Sequence, residues 1–193
     1  MPKVSNREKI LTEGLAVVHE RGFANASVRD IVAAAGVPQG SFTNHFASKE
    51  AFGLEIIDLY FANTCRVIAE TLRNDERPAL ERLGAYIDSH VERMARNDMR
   101  NGCLFGNFTA EASAASEPIR ARVLEIFAEV RASIAYCLRA AVRSGEITKL
   151  IDCDDIAAFI VSSLQGAILI AKAQRSPEPI ERTKRIIFSM VLH

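Results

Sequence analysis

Residues 116–145 repeat an apolar side chain every three or four positions: Ile119, Val123, Phe127, Val130, Ile134, Cys137 and Ala141. That spacing lines one face of a helix and cannot line one face of a strand. Ser116-Glu117-Pro118 opens the run and Gly145 closes it, as helix starts and stops require. No segment of the chain shows the strict alternation of a half-buried strand. The chain is thereby restricted to an all-α fold, and 193 residues suffice for a substantial core.

The same punctuation divides the rest. A first helix is predicted from about Ser5 to Arg21, with Leu11, Leu15 and Val18 on one face and Gly22 as its stop. In SVRDIVAAAG, Ser27 caps and Asp30 completes a capping-box variant. Ile31, Val32 and Ala35 form the apolar side, and Gly36 ends the helix. Pro38 opens the next, with Phe42 and Phe46 buried. Ser48 caps a long helix to about Leu72, whose stripe is Phe61, Cys65, Ile68 and Leu72. RNDERP at 73–78 is the clearest break in the chain. Beyond it come helices from about Ala79 to Arg96, over CLFGNFTAEAS, over 116–145, from Asp152 to about 174, and from RSPEP to near Leu192. About nine helices with short connections pack as a bundle. The sequence thus divides into residues 1–50, with three short helices, and 51–193, a longer helical bundle.

Charge says little about partners. The 24 basic and 24 acidic residues cancel, and the first 50 residues hold six Lys/Arg against five Asp/Glu. Any nucleic-acid footprint is therefore local. The four cysteines show neither C-x-x-C nor the density of a secreted scaffold. The opening MPKVSNREK is polar, and no apolar run approaches a membrane span of about 18 residues. A reducing cytoplasm and no membrane partner are the expectation.

GVPQGSFTNHFASKE (36–50) carries no acid or base between Gly36 and Lys49, yet is dense in amide, hydroxyl and imidazole groups. Two short helices joined by a tight turn form a helix-turn-helix candidate, whose second helix enters the DNA major groove. With Phe42 and Phe46 inward, Gln39, Thr43 and Asn44 face out. Gln and Asn side chains suit adenine, and hydroxyls serve several bases. Gly40 and Ser41 allow close approach, while Lys49 and the Ser27 cap suit phosphates. A small helical subdomain with an ordinary polar face fits the same periodicity.

The stretch ASVRDIVAAAGVPQGSFTNHFASKEAF resembles the N-terminal domain of the tetracycline-repressor-like (TetR) transcriptional regulators. The specific likeness spans about residues 5–60, and length and helix layout extend it loosely to the whole chain. By that resemblance Ser27 and Lys49 match phosphate-contacting positions. Arg29, Gln39, Ser41, Thr43, Asn44 and His45 match positions that contact DNA in various members. Many members have Lys where Gln39 stands and Tyr where Thr43 stands, and both departures remove a phosphate contact. The resemblance implies a homodimer on a double-stranded DNA operator of palindromic form, usually a repressor, released by a small-molecule effector.

In the second half, IAAFIVSSLQGAILIAKA (156–173) is the best dimerisation helix. Its small residues Ser163, Gly166 and Ala167 permit close crossing, and Phe159 supplies apolar area. A buried intrachain helix fits equally on sequence alone. Family members dimerise through their last two helices, which adds Ile187. Tyr86, His90, Met94, Phe105, Phe108 and Phe127 are candidates for an effector pocket, or simply core.

Among the cysteines, Cys65 and Cys137 fall on apolar stripes, and Cys153 lies between Asp152 and Asp154. Cys103 opens a short helix near Arg96 and Arg100, a setting that suits a reactive thiol. GCLFGN also resembles the start of the sensor segment in the TetR subgroup that includes the N-ethylmaleimide-reductase repressor, where this Cys is redox-responsive. A half-buried filler is the alternative. The sensor reading predicts that limiting maleimide labels Cys103 first. No catalytic constellation, phosphate loop, metal-ligand spacing or cofactor motif is present: His19, His45 and His90 are dispersed without a paired acid. No enzyme activity, metal or cofactor is expected.

Overall fold

The computed structural model describes residues 5–148 and 150–192. Part of the polar opening segment lies outside the described residues. Among them the chain forms nine α-helices and no strand. Local chemistry sets the first boundaries. Ser5 and Glu8 form a capping box before α1 (Asn6–Arg21), and Gly22, at φ 88°, ends it. Ser27 and Asp30 form a second box before α2 (Val28–Ala34). α3 (Gly40–His45) starts two residues after Pro38, behind tight turns in which Ser41 and Phe42 donate to the carbonyls of Pro38 and Gln39. Ser48 Oγ accepts from Ala51 N at 2.9 Å and caps α4 (Lys49–Glu70).

The remaining helices are α5 (Ala79–Ala95), α6 (Leu104–Glu111), α7 (Glu117–Ser144), α8 (Cys153–Gln174) and α9 (Glu178–Ile186). A π-helical turn, Ile187–Val191, extends α9. Asp152 caps α8, its Oδ1 accepting from the amides of Asp154 and Asp155 at 2.9 and 3.1 Å. Glu146 accepts from Ala79 N and Leu80 N, both at 2.9 Å, and so caps α5 from a distant loop.

The chain divides into two compact units. The first runs up to Ala62 and takes in Leu104–Leu124, so α6 belongs with the N-terminal helices. The second comprises Asn63–Cys103 and the chain from Glu125 onward. In the first, α1, α2 and α3 pack on one another around Ile10, Val18, Ile31, Phe42, Phe46 and Phe52. Phe42, Phe46 and Phe52 form a triangle of rings, with centroids 5.2 to 5.4 Å apart. Such contacts add to the area these rings bury.

In the second unit α9 packs on α5 and α8. Lys184 pairs with Asp88 at 2.6 Å. The buried Arg82 is neutralised by Asp75, which also accepts from Tyr136 Oη at 2.6 Å.

Three stripes differ from their sequence reading. In α1 the buried positions are Ile10, Gly14 and Val18, while Leu11 and Leu15 are only half-buried. In α4, Phe61, Ile68 and Leu72 are buried, but Thr64 takes the inward place assigned to Cys65, which is exposed. In α7, Ile126 is fully buried and Phe127 only half. Each error is one helical position, a rotation of about 100°.

α8 also corrects the membrane estimate. It is long and apolar enough to cross a membrane by length and composition, with a window of mean hydropathy 1.8 that is 33% buried. One such helix is weak evidence for a span. The hydropathy is high because both faces are apolar: Ala157, Ile160, Leu164, Ala167, Ile168 and Ala171 are buried in the chain, and Phe159, Leu169 and Ile170 are exposed.

Candidate nucleic-acid interface

The polar residues of the α2–α3 region separate cleanly into inside and outside. Phe42 and Phe46 are buried beneath α3, and Gln39, Gly40, Thr43, Asn44 and His45 are exposed. Thr43 Oγ1 donates to the Gly40 carbonyl at 3.1 Å, so its lone pairs stay available to accept. Nothing lies within 4 Å of where a Gly40 side chain would begin, so the start of α3 is open for close approach. Ser41 departs from the expected pattern: it is buried, 8% exposed, and packs inward beside Phe42. A base edge cannot reach it in this arrangement.

The flanking positions hold the cations. Arg29 is exposed on α2. Ser27 is committed to its capping box, with Oγ accepting from Asp30 N at 3.1 Å. Its neighbour Asp30 is held below the usual carboxylate range, first by the Ser27 side chain, then by its backbone, with Arg21 adding a 3.2 Å ion pair. Lys49 is half-buried. Its Nζ lies 4.8 Å from the Phe23 ring centroid and donates to the Ala24 carbonyl at 3.3 Å. Burial lowers its pKa, against the charge of Glu111, which raises it.

An exposed uncharged helix, seated on aromatic rings and flanked by cations, has the chemistry of a base-reading element. Known proteins agree over the whole chain. The family described as "Bacterial regulatory proteins, tetR family" matches residues 10–56, and the "Tetracyclin repressor-like, C-terminal domain" matches 79–187. The chain belongs to the TetR family. It is a DNA-binding transcriptional regulator of the helix-turn-helix type. It is 35% identical to the HTH-type transcriptional repressor DhaR of Mycobacterium sp. (strain GP1), over 100% of this chain and 95% of that one. A TetR regulatory protein from Rhodobacter sphaeroides superposes with a TM-score of 0.88 at 30% identity, covering 93% of this chain and 95% of that one. The reduced form of NemR from E. coli superposes with a TM-score of 0.86 at 28% identity, covering 94% of each.

TetR-family regulators bind DNA operators and typically act as dimers with small-molecule effectors. The positions expected for those roles are placed as follows. His90 is buried on α5, and its ring meets Tyr86 edge-on at 5.0 Å. Arg93 donates to His90 Nδ1 at 2.8 Å, so the ring proton sits on Nε2. Desolvation, reinforced by the Arg93 charge, drives the His90 pKa down to about 3. Phe105 is buried on α6 between Tyr60 and Phe61, with centroids at 5.0 and 6.2 Å. Phe127 is half-buried on α7. Cys103 directly precedes α6 and is 5% exposed.

Accessibility thus reverses the expectation for Cys65 and Cys103 and agrees with it for Cys137. Cys65 is exposed, Cys153 half-buried, and Cys103 and Cys137 buried. Burial raises the Cys137 pKa to about 11, and its Sγ donates to the Ala79 carbonyl at 3.1 Å. Cys153 is also raised, by burial first and by Asp154 and Asp152 next, against Arg139.

Of the five dimer candidates, Phe159 and Gly166 lie exposed and Ser163 half-exposed on α8. Ala167 and Ile187 are 7% and 1% exposed, because they fill the chain's own core. The outward positions of α8 are instead Phe159, Ser162, Gly166, the adjacent Leu169 and Ile170, and Ala173, recurring once per turn. Ile186, at the end of α9, and Met190, in the π-helical turn that extends it, are also exposed. Leu169, Ile170, Ile186 and Met190 are additions that the small-residue criterion passed over.

Proposed function

We propose that this chain is a homodimeric repressor, in the manner its relative DhaR is named, that reads a palindromic operator with α3. Gln39, Thr43, Asn44 and His45 meet base edges, while Arg29, Lys49 and the Ser27 N-cap meet phosphates. Residues 1–50 serve DNA, residues 51–193 serve regulation and dimerisation, and the protein works in the cytoplasm where its operator lies. The observation that carries this reading is the exposed, uncharged face of α3 above the buried Phe42 and Phe46. An exposed polar face this short gains nothing for folding by avoiding Lys and Glu, whereas base readout uses amides and hydroxyls.

Two copies are needed because paired recognition helices sit about 34–36 Å apart on one duplex face. The second copy covers the outward face of α8 together with Ile186 of α9 and Met190 of the π-helical turn that extends it. That apolar surface is assigned to a partner subunit rather than to a bilayer. Release follows effector binding within the second unit, with His90 and Phe127 as candidate wall residues, or modification of Cys103. Either ligand acts by favouring the state that does not fit DNA. The burial of Cys103 restricts direct modifiers to small oxidants or electrophiles.

The test is fluorescence anisotropy with a 24-bp duplex that the protein selects from a random pool, titrated across salt. Binding is expected to fall steeply with salt through counterion release. Asn44→Ala and Gln39→Ala should each cost about 1–3 kcal/mol on the selected duplex and little on random duplex. Equal losses on both duplexes would contradict base readout by α3.

A further inference from the structure

The turn joining α1 to α2 is gripped by a carboxylate from far along the chain. Glu111, the last residue of α6, accepts a hydrogen bond from Ala24 N at 3.1 Å through Oε2. It also closes over Gly22: a β-carbon there would stand 2.7 Å from both carboxylate oxygens. The φ of 88° favours glycine here, and the missing side chain lets the carboxylate come this close. From the other side Lys49 donates to the carbonyl of the same Ala24. Between them Phe23 packs against Phe108 of α6 at 4.8 Å and lies over Gly53 of α4.

Glu111 breaks a local rule. A carboxylate on the final turn of a helix faces the negative end of the macrodipole and is disfavoured there. It is exposed, so no core requirement places it. Departures of this kind are expected where function sets the residue. What Glu111 touches is the segment that leads into Ser27 and Arg29 and that Lys49 also binds, three residues of the proposed phosphate contacts.

We infer that Glu111 is a positioning residue for DNA binding, holding the Gly22–Ala24 turn so that Lys49 and the Ser27 N-cap meet adjacent phosphates. This rests on the DNA-binding reading of α3 and deepens it. The residue lies 66 positions beyond the end of the reading helix at His45, yet within the same compact unit. Because α6 begins immediately after Cys103 and ends at Glu111, any shift of this short helix acts directly on the turn.

The experiment compares wild type, Glu111→Ala, Glu111→Met and Glu111→Gln on the duplex selected by wild type. Ala and Met remove the acceptor, while Gln keeps an oxygen in place. The Ala and Met variants should bind about fivefold more weakly, with a log–log salt slope shallower by about one, the loss of one phosphate contact. Gln should stay within about twofold of wild type with the original slope. Should Ala lose helical content, Met decides, since its unbranched chain preserves the bulk. Wild-type affinity and slope in the folded Ala or Met variant overturn the inference and leave the DNA-binding reading intact. A Gln variant as weak as Ala also overturns it, because the hydrogen bond is then not what matters. Failure of wild type to bind any duplex ends both.

Discussion

Gly14 of α1 faces Phe52 of α4 so closely that a β-carbon at position 14 would stand 2.6 Å from the ring's Cζ. The same carbon would lie 2.9 Å from Ile31 Cγ2 on α2. Phe52 and Ile31 are fully buried and cannot yield separately. The absence of a side chain at one helical position is thus what lets three helices meet. Gly14→Ala should gain up to about 1 kcal/mol of helix propensity and lose more to overpacking, typically about 1–3 kcal/mol. A lowered thermal midpoint with weaker duplex binding is expected; an unchanged or raised midpoint would show that the core relaxes around the methyl.

Gly166 is the opposite case. Nothing lies within 4 Å of a β-carbon there, and the outward positions one turn on, Leu169 and Ile170, are apolar. In a single chain, Gly166→Ala should be neutral or stabilising by about 1 kcal/mol. Gly166→Arg should leave the chain folded but place an unpaired charge in the proposed dimer face. Breaking association in this way costs about 3 kcal/mol or more, roughly a hundredfold in the dimer constant. Sedimentation equilibrium reads this directly, with the Arg variant expected as a folded monomer. A dimer that survives Arg at this position would move the interface elsewhere.

These two glycines show where the sequence was legible. Helix boundaries were readable because caps are local: Ser5, Ser27, Ser48 and Asp152 each satisfy amides two or three residues away. The reading face of α3 was readable because Phe42 and Phe46 fix its rotation. Inward positions one step off a stripe were not, since Thr64 for Cys65 and Ile126 for Phe127 depend on the neighbour's shape. Long-range partners were invisible for the same reason: nothing near Gly22 announces Glu111. On α8 a small-residue criterion chose Ala167, yet small residues serve equally to pack α8 inside its own chain.

Thiol accessibility follows the corrected faces. With limiting maleimide on the folded protein, Cys65 should label first and Cys153 second, with Cys103 and Cys137 last. The ranking follows exposure for Cys65 and, for Cys137, a thiol held near pKa 11 by burial. Peptide mass mapping at short times checks the order. A small oxidant such as hydrogen peroxide should alter duplex binding only if it reaches Cys103, so a Cys103→Ser variant should retain binding after treatment. If Cys65→Ser protects binding instead, the switch belongs to the exposed thiol.

His90 makes a prediction with a definite pH window. Its folded pKa, about 3, lies below the ordinary value of 6.5 because burial and the Arg93 charge both oppose the imidazolium. The unfolded chain therefore takes up a proton near pH 6.5 while the folded chain does not. Stability associated with His90 is complete above that value and declines as pH falls, by about 1.4 kcal/mol per unit. Carboxylates with lowered pKa lose their stabilising contribution as pH falls toward and through their ordinary values, 3.8 for Asp30 and Asp75 and 4.5 for Glu8, Glu117 and Glu146. The change from pH 6.5 to 5 is thus mainly the histidine's. Unfolding free energies from urea titrations at pH 7.5 and 5 should differ by about 2 kcal/mol in wild type and scarcely at all in His90→Gln, whose amide oxygen can accept from Arg93. A wild-type difference that survives in the Gln variant would mean that His90 titrates normally when folded, and that the contact with Arg93 opens in solution.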